Sequence, residues 1–147
     1  MTNVRISGSM SDVNNFLAEI KANCSGVLMD DVKYYPNEDG TCRGYFNCTL
    51  EDNMTGSVPM IPNKSELIKL SEERFFVSLR LRGSKQEIAD ILKALSGVVQ
   101  LYVRRGRSVD ARRRKSSVSD VYVGCCNLGV TWEELAERGM SRFIVGM

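Results

Sequence analysis

V-R-I-S-G-S-M-S-D-V-N-N-F-L-A-E-I, from Val4 to Ile20, aligns without a gap with L-R-L-R-G-S-K-Q-E-I-A-D-I-L-K-A-L, from Leu79 to Leu95, at an offset of 75 residues. Arg5 falls on Arg80, Gly8 on Gly83, Ser9 on Ser84 and Leu17 on Leu92. The apolar positions coincide as well: Val13, Phe16, Leu17 and Ile20 meet Ile88, Ile91, Leu92 and Leu95. Each set has the i, i+3, i+4, i+7 spacing that puts side chains on one face of a helix, so each stretch predicts an amphipathic helix. The residues just before alternate, Val4-Arg5-Ile6 in one copy and Val77-Ser78-Leu79-Arg80-Leu81 in the other. Alternation is the period of a strand with one buried face. The Gly-Ser pair between strand and helix reads as a turn, with Ser9 or Ser11 and Ser84 as N-caps.

The match resumes after a four-residue difference in length. Gly26-Val27-Leu28 answers Gly97-Val98-Val99, Val32-Lys33 answers Val103-Arg104, and Tyr45-Phe46-Asn47-Cys48 answers Tyr122-Val123-Gly124-Cys125. These predict the second and third strands of each unit. Pro36-Asn37-Glu38-Asp39-Gly40 is a turn signal for the first hairpin; the second hairpin is longer at its tip. Residues 1–52 then form a first β-α-β-β unit. Residues 53–74 form a linker, loose around Gly56, Pro59 and Pro62, with a short helix at Ser65 to Leu70. Residues 75–147 form a second unit with a C-terminal helix. That helix starts at the T-x-x-E capping box Thr131-Trp132-Glu133-Glu134 and stops at Gly139. Phe143-Ile144-Val145 predicts a last short strand. One copy of about 50 residues buries little apolar surface and is marginal alone. The expected fold is therefore α+β: two tandem β-α-β-β (ferredoxin-like) units with pseudo-twofold symmetry, in antiparallel or mixed sheets with helices on one face.

Composition narrows the chemistry. The chain has no histidine, which removes Ser-His-Asp and Cys-His catalysis and the commonest transition-metal ligand. Five cysteines, an odd number without a C-x-x-C, point away from a disulfide framework or a zinc ribbon. Cys125 and Cys126 are adjacent and in a strand face opposite ways. Asp30-Asp31 with Glu38-Asp39 lacks the spacing of a calcium loop, and Gly8 and Gly83 lie outside any phosphate-loop pattern. Trp132 is read as a core anchor. No catalytic residue, metal ligand or cofactor is assigned, and the expectation is not an enzyme. No stretch approaches the roughly 20 apolar residues of a membrane span, and the N-terminal residues lack the pattern of a signal peptide. A cytoplasmic protein without membrane contact is expected.

The V-R-I-S-G-S strand, the amphipathic helix, Tyr35-Pro36-Asn37, Gly40 and Tyr45 resemble the signature of an uncharacterised family of short β-α-β-β proteins of Gram-positive bacteria and their phages. The resemblance covers roughly residues 3–50 and more weakly 77–128, where the Y-P-N turn is missing. It implies a fold and a phage or mobile-element setting, and it carries no activity.

The sharpest local feature lies between Arg104 and Lys115. Arg104, Arg105, Arg107, Arg112, Arg113, Arg114 and Lys115 stand against one acid, Asp110, a local charge of +6 in a chain of net +2. Residues 1–52 hold four basic and eight acidic residues, so the chain is electrically polarised. Clustered like charges repel and are costly without a polyanionic partner or wide solvation. Arginine supplies the planar fork that pairs with phosphate, and Ser108, Ser116 and Ser117 offer further donors. The seven basic residues are thus the candidate partner-binding site. The expected function is a non-enzymatic protein contacting nucleic acid or a nucleoprotein complex through a basic hairpin. The rival expectation is an inhibitor of a host defence nuclease, anti-CRISPR-like, that occludes a protein surface or mimics nucleic acid with its acidic first unit. The alternative to both is a solvated loop. Only Tyr102 and Tyr122 lie near the basic run, both expected to pack on the sheet, so stacking of single strands has little support from the sequence.

Overall fold

A computed structural model describes residues 1–24, 26–51, 58–61, 75–103, 109–110, 118–139 and 142–144. In chain order the elements are β1 (Thr2–Ser9), α1 (Met10–Asn23), β2 (Val27–Met29), β3 (Lys33–Pro36), β4 (Thr41–Leu50), β5 (Val58–Met60), β6 (Phe76–Ser84), α2 (Lys85–Ser96), β7 (Gln100–Val103), β8 (Val109–Asp110), β9 (Val118–Cys126), α3 (Trp132–Glu137) and β10 (Arg142–Ile144). The class is α+β.

Alternation sorts the strands into two faces. Val4 and Ile6 of β1, Cys42, Phe46 and Cys48 of β4, and Val77, Leu79 and Leu81 of β6 are buried, while their sequence neighbours are more open. The sheet runs β2-β4-β1-β6-β9-β7, with β3 also on β4 and β8 also on β9. Every one of these pairings is antiparallel. On the buried face lie α1 and α2. All eight residues of the two helical stripes, Val13, Phe16, Leu17, Ile20, Ile88, Ile91, Leu92 and Leu95, enter one core shared by both ends of the sheet. At roughly 1.5–3 kcal/mol for each large apolar side chain removed from water, this shared layer is the main source of stability.

Local chemistry sets the boundaries. Ser9 and Ser84 are the N-caps, their hydroxyls accepting from the backbone N–H of Asp12 and Glu87 at 3.0 and 3.1 Å. Each is also the last residue of its strand, so the Gly-Ser pairs are strand rather than turn: Gly8 stands opposite Cys42 and Gly83 opposite Ser119. Close approach explains the first glycine. A Cβ on Gly8 would lie 3.3 Å from the Phe76 carbonyl oxygen. The 36–41 segment turns as its sequence predicts, with Asn37 N–H donating to the Thr41 carbonyl at 2.8 Å and Gly40 at φ +85°. Thr131 caps α3, and Gly139 ends it at φ +69°.

Three features depart from the sequence reading. The second strand is broken, since β2 pairs with Cys48–Leu50 and β3 with Cys42–Tyr45 of the same β4. Part of the linker is ordered: β5 is buried and pairs with β10, Pro59 standing opposite Phe143 in a two-stranded ribbon where a missing N–H is tolerated. The short helix expected at Ser65 to Leu70 lies outside the described residues. Finally, a second, smaller core forms on the other face of the sheet at its β7 end. Ile61, Tyr102, Cys126, Leu128 and Leu135 are buried there, with Phe76, Val130 and Trp132 against them. Gln100 ties this end down, accepting from Leu128 N–H at 2.7 Å and donating to the Val130 carbonyl at 2.9 Å. The Trp132 indole N–H donates to the Ser96 carbonyl at 2.7 Å, the anchor expected of it.

Candidate functional site: the open face of the sheet

The outward positions of the alternating strands form the face that neither long helix covers. Register places five of them in a line across five strands. Lys33 stands opposite Tyr45, Tyr45 opposite Arg5, Arg5 opposite Arg80, and Arg80 opposite Tyr122. Adjacent strands are about 4.8 Å apart, so the row is about 19 Å long. Lys33 is exposed, and the other four are partly exposed. Arg43 is exposed one step further along the same face, opposite Tyr35 and beside the row. Tyr35 is 51% exposed and packs edge-on against Tyr45, ring centroids 5.5 Å apart.

Charge on this face is unbalanced. Arg82 is matched: its guanidinium forms a two-pronged pair with Asp120, Nε to Oδ1 at 2.6 Å and a terminal nitrogen to Oδ2 at 3.1 Å, which raises the Arg82 pKa. Among the described residues, Arg5 and Arg80 have no such counter-ion. They are like charges placed directly opposite each other, an arrangement that destabilises an antiparallel pair. A terminal nitrogen of Arg80 donates to the Asn3 side-chain oxygen at 3.5 Å, and its buried Nε has no hydrogen-bond partner among the described residues. A buried donor left unmatched costs about 1–3 kcal/mol.

A chain of polar contacts leads to that arginine. The Asp30 carboxylate accepts from the Asn47 backbone N–H at 2.7 Å and from its side-chain amide at 3.0 Å. These two bonds, backbone first, hold the Asp30 pKa below its ordinary value. The Asn47 side-chain oxygen accepts from Asn3 at 3.2 Å, and the Asn3 oxygen faces Arg80. Asp30 therefore bridges the break between β2 and β3 and sets the amide orientations across the face. Asp39 is likewise engaged locally, accepting from the Thr41 N–H at 3.1 Å and hydroxyl at 2.6 Å. Two of the four carboxylates of the acidic cluster thus serve the hairpin itself.

The cysteines offer no nucleophile. All five are free and buried. Burial pushes the Cys48 thiol up to about 12 and raises Cys125 as well, so both remain protonated near neutral pH. Cys125 and Cys126 enter the cores on opposite faces of the sheet, as their adjacency predicts.

The basic run from the sequence, Arg104, Arg105, Arg107, Arg112, Arg113, Arg114 and Lys115, lies outside the described residues, as does the tip of the second hairpin. In the chain, residues 104–108 join β7 to β8, and 111–117 join β8 to β9. Tyr102 is buried over Gly124, as expected of a packing residue. Tyr122, by contrast, stands in the open row. Sequence reasoning missed Lys33, Tyr45, Arg5 and Arg80 as a set. Their signal was present as the polar phase of the alternation, Arg5 in one strand and Arg80 in the other, which marks an outward face without saying which strands adjoin. Comparison with protein-family models, curated proteins and solved structures finds no match to this chain.

Proposed function

We propose that this chain is a non-enzymatic, cytoplasmic binding protein of phage or mobile-element type that contacts nucleic acid or a nucleoprotein complex. The observation that carries the reading is the pair Arg5 and Arg80, two guanidiniums directly opposite each other on the outward sheet face, with no carboxylate partner among the described residues. Such a pair is unfavourable for folding and favourable for an anion that bridges both forks. The basic run at Arg104 to Lys115 adds seven cations that follow directly on β7 and β8, the strands that edge this sheet. A surface of this kind gains affinity by releasing counter-ions from a phosphate backbone.

The same reading extends to the architecture. We take the chain as two tandem β-α-β-β, ferredoxin-like units related by a pseudo-twofold axis. The strand orders β1-β4-β2 and β6-β9-β7 support this, as does the register between β1 and β6. Arg5 and Arg80, matched by the repeat, are also paired with each other, which is where a twofold axis between two like strands must fall. The axis brings equivalent cations together.

The test is equilibrium binding of the purified chain to labelled single- and double-stranded oligonucleotides across salt. Binding that weakens steeply between about 50 and 200 mM salt is expected. Failure to bind either form at the low end of that range overturns the reading.

A further inference from the structure

We propose that the open face is a single-strand site, in which a backbone phosphate sits between Arg5 and Arg80 and bases stack on Tyr45 and Tyr122. This deepens the nucleic-acid reading and rests on it.

The row supplies both components of such a site in alternation. From one edge it runs cation, ring, cation, cation, ring: Lys33, Tyr45, Arg5, Arg80, Tyr122. The central pair offers two guanidinium forks to one anion. The rings flank that centre at one strand's remove on each side, about 14 Å apart. A phosphate in the middle with a base on either ring is a continuous stretch of chain laid across the strands. Tyr35 stands edge-on to Tyr45, its ring nearly perpendicular, and braces that ring from one side. Rings on an outward sheet face stack with any base, because every base has a π-face.

Size argues against a duplex. A two-stranded ribbon fits a major groove about 12 Å wide. The row is about 19 Å long and spans five strands, so its central arginines cannot enter such a groove. The bases of a duplex are also already stacked and have no free face for Tyr45 or Tyr122. An unpaired strand of RNA or DNA meets both conditions.

The experiment is fluorescence anisotropy of the full chain with labelled oligo(U), oligo(dT) and a blunt duplex at low salt. The variants are Tyr45→Leu, Tyr122→Leu, Arg5→Gln and Arg112→Ala/Arg113→Ala/Arg114→Ala, each checked for folding by circular dichroism. Both single strands should bind more tightly than the duplex, and the preference between them identifies RNA or DNA as the natural source. Each tyrosine variant should bind single strands roughly ten- to a hundredfold more weakly. Arg5→Gln, which leaves Arg80 folded in place, should weaken binding and flatten its salt dependence. If the tyrosine and Arg5 variants bind like the parent while the triple arginine variant loses binding, the nucleic-acid reading stands and the single-strand site falls. If the duplex binds as tightly as the single strands, the site also falls. If the parent binds none of the three, both fall together.

Discussion

Gly124 is where the packing leaves no room for a side chain, and replacing it with alanine tests how the open face is closed at one end. Gly124 of β9 stands opposite Tyr102 of β7, and the tyrosine ring lies over it. A Cβ placed on Gly124 falls inside that ring, overlapping Cζ and both Cε atoms. Carbon atoms rest about 3.5–4.0 Å apart, so the ring must retreat by well over an ångström. It has little room, being 4% exposed and held between Phe76, 6.5 Å away by ring centroids, and the small core of Ile61, Cys126, Leu128 and Leu135. Overpacking of this kind costs about 1–3 kcal/mol, and with three ring atoms involved we expect the upper end, about 3 kcal/mol. For a chain of this length that is roughly 6–12 °C in Tm.

The partner variant gives the argument its sign. Tyr102→Ala removes the obstacle at its own cavity cost, about 3–5 kcal/mol by analogy with other large aromatic deletions. In that background Gly124→Ala should be neutral or stabilising by up to about 1 kcal/mol, because alanine suits a strand at least as well as glycine. The double-mutant cycle should therefore return a favourable coupling of about 2–4 kcal/mol. Urea denaturation followed by Trp132, the single tryptophan, reads it directly, since that indole packs against the same core. A Gly124→Ala variant within about 0.5 kcal/mol of the parent, with Tyr102 present, would falsify the packing account.

Three further outcomes can be measured on the same protein. Leu92→Ala and Leu17→Ala, at residues 0% and 4% exposed on α2 and α1, should each cost about 2–5 kcal/mol in chemical denaturation; near-neutral results for both would place the two stripes outside the core. Asp30→Ala should destabilise the parent at neutral pH but not in strong acid. The folded carboxyl is held below its ordinary value of 3.8, so its contribution is present above that pH and is lost as pH falls through the lower folded value; a difference in urea midpoint that persists at pH about 2 contradicts this. Replacing Arg112, Arg113 and Arg114 with alanine should leave the melting temperature unchanged while lowering the salt slope of nucleic-acid binding by roughly 0.7–0.9 per lost phosphate contact. Unchanged binding would make the basic run a solvated segment.

What the sequence disclosed and withheld follows a physical line. Local periodicity reports burial along one element, and it located β1, β6, α1 and α2 with their inward residues Val4, Ile6, Leu79 and Leu81. Caps and turns are local too, and Ser9, Ser84, Thr131 and Gly40 act as their residue types suggest. Pairing between strands is not local. Nothing within β1 specifies β6 as its neighbour, so the row that crosses them was hidden although each member was in view. The break between β2 and β3 was equally hidden. It depends on Asp30 reaching across to Asn47, 17 residues away. The second core on the outer face arises because Tyr102, on an outward position by alternation, finds a glycine opposite and lies down on it. A polar-looking phase of a strand is therefore open only where nothing lands on it. Among the described residues that leaves the β3-to-β6 part of the face.

The central arginines connect repeat, fold and function in one argument. On the proposed duplicate reading, two copies of a strand paired antiparallel about a twofold axis set some residue against its own counterpart, and the register pairs Arg5 with Arg80. An apolar or neutral residue at that position would stabilise the sheet, since outward neighbours such as Ser7 and Ser78, also directly paired, meet without repulsion. Under that reading symmetry doubles any charge placed on the axis, at a cost to folding of the order of the 0.2–1 kcal/mol typical of cross-strand pairs, with the buried Nε of Arg80 adding to it. On the proposed nucleic-acid reading, a phosphate held between the two forks offsets that cost, because one anion then meets two cations. An Arg5→Ser variant should accordingly be more stable than the parent in the absence of ligand and bind single strands less tightly. If it is less stable, the arginine stems contribute more packing than their charges cost, and the axis is a structural contact rather than a site.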